Sequence, residues 1–221
     1  MCVPDLSELN LKGIDTIAID LETYDPDLKR KGSGAIRGHG FVCGIAIATS
    51  KQNLYFPIAH AMTSNLDAEE TWEELNKKVF KNKGLRKVFH NAMYDVGWIR
   101  AVTGEMPVGE IVDTMIAASV IDETRMRYSL DALSKDYLQD SKYKYDLKER
   151  AWEELGIKDP MSNMHKLSYD LVKDYALQDV NLTLRLWNLF EKKIRRNYIS
   201  SEAEKSTKNF YIRNKTIPVF G

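Results

Sequence analysis

The stretch "TIAIDLETYDP", residues 16–26, has the composition of a buried strand that carries two carboxylates, Asp20 and Glu22, near its end. Residues two apart in a strand point to the same side, so Asp20 and Glu22 project together while Leu21 faces the other way. Two like charges so close to a core require water or a divalent cation to neutralise them. Because oxygen is the only ligand type in this pair, the cation it favours is magnesium or manganese.

This pair alone does not establish a metal site, because Asp-x-Glu is a common pattern. The chain has a second copy, Asp67 and Glu69. That copy begins an amphipathic stretch, where acidic side chains stabilise the positive end of a helix dipole. Only the first copy follows an apolar strand, so it is the better metal candidate.

The composition of the 221 residues indicates one domain with a single sizeable core, since 43% of them are hydrophobic. Lys plus Arg and Asp plus Glu balance at 32 each. Overall charge therefore does not indicate nucleic acid or a membrane as a partner, and only local clusters can. Two basic clusters exist, at residues 28–40 and from residue 191 onward. An ordinary solvated surface is the alternative explanation of both.

The two cysteines and the absence of long apolar runs bear on the cellular setting. Cys2 lies at the terminus and Cys43 lies inside the run "FVCGIAIA", which argues against a disulfide framework or a cysteine zinc site. The N-terminus lacks the features of an export signal, and no run of about eighteen apolar residues occurs. We expect a soluble, unexported, cytoplasmic protein with no membrane partner.

Hydrophobic periodicity predicts an alternation of strands and helices. Strands are predicted at "TIAIDLET", "GFVCGIAIAT", "NLYFPIAH" and "LRKVFHN". A helix is predicted after Asp67, a strand or helix at "IVDTMIAASVI", and a long amphipathic helix over residues 168–194 with Ser168 as its cap. Residues 139–166 are polar and predict turns and a short helix. The pattern indicates an α/β fold with helices packed on a mixed sheet.

Three further side chains are candidates for the same site. Asp95 lies in "VFHNAMYDVGWI", surrounded by apolar residues that do not favour an unpaired carboxylate. Tyr175 and Asp179 stand four apart, so they share one face of the final helix. Each has an ordinary alternative: Asp95 as a helix cap, Tyr175 as a core aromatic, and Asp179 as the partner of a Lys or Arg.

Taken together, these residues resemble the motifs of the DEDD superfamily of 3′–5′ exonucleases in its tyrosine-bearing subgroup, DEDDy. "IDLET" resembles the first exonuclease motif, "FHNAMYD" the second, in its Asn-x3-Asp form, and "YALQD" the third, Tyr-x3-Asp. Tyr175 is the only tyrosine in the chain with an Asp four residues later. The sequence around these motifs is most similar to the proofreading domain of phage-type family A DNA polymerases.

The resemblance implies a ribonuclease H-like fold, with a mixed five-stranded sheet flanked by helices. It also implies two divalent metal ions, magnesium or manganese, held by four carboxylates. By this likeness Asp20, Glu22 and Asp179 bind the first ion, while Asp20 bridges to a second ion that Asp95 supports through water. The implied reaction is phosphodiester hydrolysis, in which two metals assist the attacking and the departing oxygen together.

Tyr175 is expected to orient the attacking water. A tyrosine with a pKa near 10 is a poor general base at neutral pH, so loss of its hydroxyl should impair the reaction rather than abolish it. The four histidines are not needed in this scheme. The expected partner is nucleic acid, namely the single-stranded 3′ end of DNA, with Thr23, Tyr24 and Asn91 as substrate-binding residues.

Other substrate contacts are weaker hypotheses. The basic, glycine-rich "LKRKGSGAIRGHG" could wrap the strand's backbone, and Tyr143 and Tyr145 could stack on its bases. Ordinary exposed loops are the alternative for each of them.

The predicted organisation is an exonuclease domain at residues 1–196, with 139–166 as an insertion within it. Residues 197–221 form a C-terminal tail that faintly resembles the beginning of a polymerase portion. The chain is too short for a polymerase domain as well. We therefore expect a free-standing exonuclease or a truncated proofreading part, in a bacterial or phage-infected cell, working with a DNA polymerase domain or other replication proteins.

Two alternatives stay open from the sequence. One is a 3′–5′ exoribonuclease of the ribonuclease D type, which shares the tyrosine pattern. The other is an inactive domain that binds nucleic acid or a partner protein, although all four carboxylates are present.

Overall fold

A computed structural model of the chain describes residues 3–140 and 144–213, with side chains over 3–140 and 147–196. Within these residues, five strands form one mixed sheet in the order β3-β2-β1-β4-β5. The strands are β1 (Thr16–Tyr24), β2 (Phe41–Ala48), β3 (Asn53–Pro57), β4 (Arg86–Phe89) and β5 (Ile111–Asp113). Pairs β1–β2 and β2–β3 are antiparallel, whereas β1–β4 and β4–β5 are parallel. The predicted α/β fold class is confirmed.

Helices lie on both faces of this sheet. The α-helices are α1 (Leu28–Lys31), α2 (Gly34–Arg37), α3 (Ala68–Leu75), α4 (Ala92–Thr103), α5 (Thr114–Ile121), α6 (Leu130–Leu133), α7 (Lys144–Leu155) and α8 (Tyr169–Arg213). Single 3₁₀ turns occupy Leu6–Glu8 and Met164–Lys166, and π-helical turns Asn76–Phe80 and Ser134–Leu138 extend α3 and α6.

The side chains of β1 alternate between two cores, one on each face of the sheet. Ile17, Ile19 and Leu21 belong to the core beneath α3 and α4, whereas Ala18 belongs to the core beneath α8. Since side chains alternate along a strand, Asp20 and Glu22 follow Ala18 onto the α8 side. The predicted placement of the two carboxylates on one side of the strand agrees with this division.

Helix α8 covers its face of the sheet by packing against β1, β2, β3 and β4. Leu171, Val172, Tyr175, Ala176 and Val180 supply its buried face at the spacing of an amphipathic helix. The helix extends well beyond the predicted end at residue 194 and passes residue 196 without a break. The division between domain and tail at that residue stays a prediction, and residues 214–221 of the tail lie outside the described residues.

The structure tests three local predictions. The stretch "IVDTMIAASVI" contains both of its alternatives, because β5 ends at Asp113 and the Asp113 side chain then caps α5 by accepting the Met115 N–H at 2.8 Å. Asp67 caps α3 as expected, by accepting the Glu70 N–H at 2.9 Å. The insertion holds more helix than predicted, with α7 running from Lys144 to Leu155.

A buried lysine joins the parallel strands to the loops around them. Lys87 of β4 is fully buried, and its Nζ donates hydrogen bonds to the carbonyls of Asn82, Leu85 and Val108 at 2.6, 2.8 and 2.8 Å. Burial lowers the pKa of Lys87 to about 8. The three carbonyl acceptors match the three donors of a protonated amine, so the charge is compensated without an acid.

In the part of the chain that the structure describes, no helix combines the length and the apolar character needed to cross a membrane.

Candidate active site

The predicted carboxylates meet at the end of β1, between α4 and α8. Glu22, Asp95 and Asp179 are buried, at 7%, 4% and 5% exposure, and Asp20 is half-buried. Burial, followed by the charge of Asp20, raises the pKa of Asp95 well above its ordinary value. The structure thus brings together side chains from three separate elements, and their proximity is visible in the electrostatics of the site.

The strand pairing around Glu22 is irregular. Glu22 pairs with Gly44 and Thr23 with Val42, which leaves Cys43 of β2 as the extra residue of a β-bulge. Bulges are common beside active sites because they redirect the side chains that follow them. Here the bulge follows Glu22 and shifts the register, so that Thr23 and Tyr24 pair with Val42 and Phe41 of β2.

Asp95 is held by the backbone of β1. The pairing of β1 with β4 extends to Ala18, and further along β1 the N–H of Leu21 donates to Asp95 Oδ1 at 3.0 Å. Asp95 therefore does not act as the helix cap that was the alternative. Its carboxylate satisfies a strand amide while it stays next to Asp20.

The turn that carries Asp95 is fastened by a carboxylate that the sequence analysis did not select. Asn91 has φ 68°, in the left-handed region, and α4 begins at the next residue. Asp113 accepts the N–H groups of Asn91 and Ala92 at 3.0 and 2.9 Å, in addition to capping α5. A signal was available, since an Asp between a short strand and a helix is a common cap, but its link to Asn91 depends on the pairing of β4 with β5.

Tyr175 and Asp179 lie on one face of α8, as their spacing predicts. The Tyr175 hydroxyl hydrogen-bonds the Asp179 carboxylate, and as a neutral phenol it is the donor. Burial, then the charges of Asp179, Glu22 and Asp20, raise the pKa of Tyr175. The hydroxyl is therefore protonated at any working pH and can orient a water molecule, but it cannot act as an anionic base.

The donor set of this site is suited to a hard divalent cation. All four acidic residues supply only oxygen, and their mutual repulsion would be relieved by a cation. Within residues 3–140 and 147–196, however, no group of three or more His, Cys, Asp or Glu side chains is arranged to hold a metal ion. The chemistry of the donors fits magnesium or manganese, and the assignment of individual ligands remains the prediction made from the resemblance.

Two of the predicted substrate residues, Thr23 and Tyr24, directly follow Glu22 in β1, and the third, Asn91, precedes α4. The hydroxyls of Thr23 and Tyr94 are hydrogen-bonded at 2.7 Å, which ties the end of β1 to α4. Asn91 is exposed at the start of α4. Tyr24 is half-buried and contacts the rings of Phe41 and His165. No sequence pattern marks His165, because its position depends on the 3₁₀ turn Met164–Lys166, far from β1 in the chain.

The basic glycine-rich segment is partly neutralised by acids that precede it. Asp27 forms ion pairs with Arg30 at 2.9 Å and Lys31 at 3.0 Å, and Arg30 followed by Lys31 lowers the pKa of Asp27 to about 2. Arg37 forms an ion pair with the buried carboxylate of Asp25 at 3.3 Å. The predicted wrapping role of this segment remains a hypothesis, and the side chains of Tyr143 and Tyr145 lie outside the described residues.

Comparison with known sequences identifies the family. Residues 6–195 match the sequence model of a protein family described as 3′–5′ exonuclease. The DNA-directed DNA polymerase of Pseudomonas phage M6 is 32% identical over 197 residues, which cover 86% of this chain and 29% of the polymerase. DNA polymerase I of Borreliella burgdorferi is 25% identical over 194 residues, which cover 87% of this chain and 18% of the polymerase. The chain thus spans less than a third of the length of these relatives.

Solved structures share the fold. Brucella melitensis NrnC bound to pGG has a TM-score of 0.59 at 20% identity, over 96% of this chain and 94% of that one. NrnC with bound Mg²⁺ has a TM-score of 0.58 at 19% identity, with the same coverage of both chains. The ribonuclease H-like fold that the resemblance implies is confirmed. The chain belongs to the 3′–5′ exonuclease family, together with exonuclease portions of phage and bacterial DNA polymerases.

Proposed function

We propose that this chain is a metal-dependent 3′–5′ exonuclease of the proofreading type, which removes nucleotides from the 3′ end of DNA. The observation that carries the proposal is the meeting of Asp20, Glu22, Asp95 and Asp179 with the Tyr175 hydroxyl at the end of β1. Membership in the exonuclease family and the DNA polymerase relatives support the reaction type and the choice of DNA.

The proposed cofactor is a pair of divalent ions, magnesium or manganese. Asp20, Glu22 and Asp179 would hold one ion, and Asp20 with Asp95 the other. When bound, such ions supply charge stabilisation and activation of water for phosphodiester hydrolysis. The structure of NrnC with bound Mg²⁺ supports a divalent ion in a site of this fold.

The protein's own groups position the reacting parts. Tyr175, neutral and hydrogen-bonded to Asp179, would orient the attacking water by its hydroxyl. Asp95 would keep its place through the Leu21 amide while it faces Asp20. Thr23, Tyr24 and Asn91, which flank the carboxylates, would hold the terminal nucleotide.

The proposed partners follow from the relatives. Because those relatives are DNA polymerases and the chain corresponds to less than a third of their length, a polymerase domain or other replication proteins are the proposed partners. The proposed substrate is a frayed single-stranded 3′ end.

The proposal is tested with 5′-labelled single-stranded DNA and RNA of matched sequence, incubated with magnesium or manganese. We expect a ladder that shortens from the 3′ end, is faster on DNA, and disappears with a chelator. The second Asp-x-Glu copy offers a matched control: Glu22→Gln should remove the activity, and Glu69→Gln, on the exposed start of α3, should leave it unchanged.

Other outcomes would redirect the assignment. Faster shortening of RNA would reject the DNA substrate in favour of the ribonuclease D type. Intact label in every lane, from protein with a cooperative unfolding transition, would reject the enzyme and leave a binding domain.

A further inference from the structure

Three rings cluster beside the carboxylates. Tyr24, two residues after Glu22, pairs across the sheet with Phe41, the first residue of β2. The ring of His165, from the 3₁₀ turn Met164–Lys166, lies 4.2 Å from the ring of Tyr24 and 5.7 Å from that of Phe41, measured between centroids. The Tyr24 and Phe41 rings are 5.4 Å apart. We call these three residues the aromatic trio.

The position of His165 is set by hydrogen bonds to its backbone and to its neighbours. The N–H of Ala61 donates to the His165 carbonyl at 2.7 Å. The buried His60 ring lies with Nδ1 3.1 Å from the Met164 carbonyl and 3.0 Å from the Leu167 carbonyl, so Nδ1 is the protonated nitrogen. Its Nε2 then accepts the Tyr55 hydroxyl at 2.6 Å. The turn that presents His165 is therefore held at three carbonyls, those of Met164, His165 and Leu167.

The trio is not closed off from solvent. Phe41 is 39% exposed, and Tyr24 and His165 are half-buried. An exposed aromatic ring that is fixed beside a nucleic-acid-cleaving site is suited to stacking, since every nucleobase has a π-face. The three rings present apolar π-faces, so this edge of the site is suited to a base more than to the charged backbone. Lys166, exposed and next to His165, supplies a cation for a phosphate nearby.

We propose that the aromatic trio of Tyr24, Phe41 and His165 is a stacking surface for a nucleobase at the 3′ end of the substrate strand, with His165 and Phe41 as base-binding residues. The proposal rests on the proposed function, because it concerns the substrate of the same site. It extends the predicted role of Tyr24 to two residues from other elements.

The test is a double-mutant cycle with two changes. A ring is removed from the protein, and a base is removed from the substrate. Oligonucleotides carry an abasic unit at the terminal or the penultimate 3′ position, and kcat/KM is measured for the wild type, His165→Ala and Phe41→Ala. For the wild type, we expect one of the two abasic positions to lower kcat/KM roughly tenfold. In either variant, removal of that base should cost less than about twofold. His165→Phe, which keeps a ring, should restore the wild-type response.

Two controls separate stacking from folding defects. Met106→Ala removes an exposed apolar side chain beyond the opposite end of α4 and should respond to abasic ends like the wild type. Unfolding curves show which variants are folded. If His165→Ala does not fold, Phe41→Ala and His165→Phe carry the test.

The same cycle applied to equilibrium binding distinguishes this proposal from the proposed function. If the wild type cleaves neither normal nor abasic strands, the proposed function fails, and the cycle is then measured on Kd by fluorescence anisotropy. The stacking surface would be overturned by one result. Base removal would lower kcat/KM or affinity equally in the wild type and in both alanine variants.

Discussion

Asp95 shows how one carboxylate can serve both the fold and the site. It is 4% exposed, accepts the Leu21 N–H at 3.0 Å, and lies close enough to Asp20 for that charge to raise its pKa. Its hydrogen bond stabilises the strand, while its charge is unfavourable in a buried place without a cation. Replacements at position 95 can separate the two effects.

Asp95→Asn should keep the acceptor for Leu21 and remove the repulsion with Asp20. We expect an unfolding temperature equal to or above that of the wild type, and an exonuclease rate lower by about 100-fold. Asp95→Ala should lose both functions, with a loss of about 1–3 kcal/mol from the unpaired amide. Thermal unfolding and a labelled-strand assay on both variants check this, and equal destabilisation of the two would contradict it.

A substitution at Tyr175 of α8 can also separate an effect on the reaction from an effect on the fold. Tyr175→Phe removes the hydroxyl that bonds Asp179 but keeps the buried ring. Because the proposed role of the hydroxyl is to orient water, and because it does not ionise, we expect a rate lower by about 10- to 100-fold rather than complete loss. Single-turnover kinetics at saturating DNA measure the effect. A complete loss would mean that Tyr175 does more than orient water.

At the scale of the elements, the contact between β2 and β3 places Tyr55 against Gly44, the residue that pairs with Glu22. Gly44 pairs with Glu22, and a Cβ at Gly44 would overlap the hydroxyl of Tyr55. Tyr55 is fully buried and donates to His60, which holds the turn of His165. A glycine in the middle of a strand therefore connects the carboxylate end of β1 with the aromatic trio.

Gly44→Ala should displace the Tyr55 ring, because its buried surroundings leave it no room. We expect a loss of about 1–3 kcal/mol in the free energy of unfolding. Gly97→Ala, within α4, is the matched control: its Cβ would meet nothing closer than Ala35 Cβ at 3.9 Å. Alanine is the better helix former, so this variant should gain about 0.5–1 kcal/mol. Urea unfolding of both proteins measures whether each substitution lowers or raises the free energy of unfolding.

At the scale of the whole molecule, the candidate active site is assembled from distant parts of the chain. The carboxylates come from β1, α4 and α8, and the sheet order with β1 at its centre brings these elements together. Folding therefore concentrates like charges in one place, at a cost that a bound cation would reduce. The stability of the entire molecule should respond to divalent metal.

Manganese should raise the unfolding temperature of the wild type. At a concentration of 100 times Kd, the expected gain is about 2.7 kcal/mol for each ion bound. Asp179→Asn, which removes a proposed ligand, should lose most of the shift, while Glu69→Gln should keep it. Calorimetry with manganese, magnesium or chelator makes the comparison. An equal shift in wild type and Asp179→Asn would exclude Asp179 from the metal site.

The parts of the fold and site that could be predicted from the sequence are those with a local cause. The alternation along β1 predicts that Asp20 and Glu22 share a side, and the four-residue spacing predicts that Tyr175 and Asp179 share a face of α8. The strands and their mixed sheet follow from the same periodicity and from the resemblance.

The rest depends on pairing between distant segments. The bulge at Cys43, the link from Asp113 to Asn91, and the approach of His165 to Tyr24 have no periodic signal. The bond from Leu21 to Asp95 likewise requires the relative placement of β1 and α4. In each case the partner is chosen by tertiary structure, which a single sequence does not display.

The ion pairs of the basic glycine-rich segment affect how DNA binding would respond to ionic strength. Arg30, Lys31 and Arg37 already have Asp27 or Asp25 as neighbours, so fewer of their charges are available to displace counterions from DNA. The logarithm of affinity should then fall only shallowly with the logarithm of salt concentration. Binding would depend on the shape and the bases of the strand's end more than on its charge.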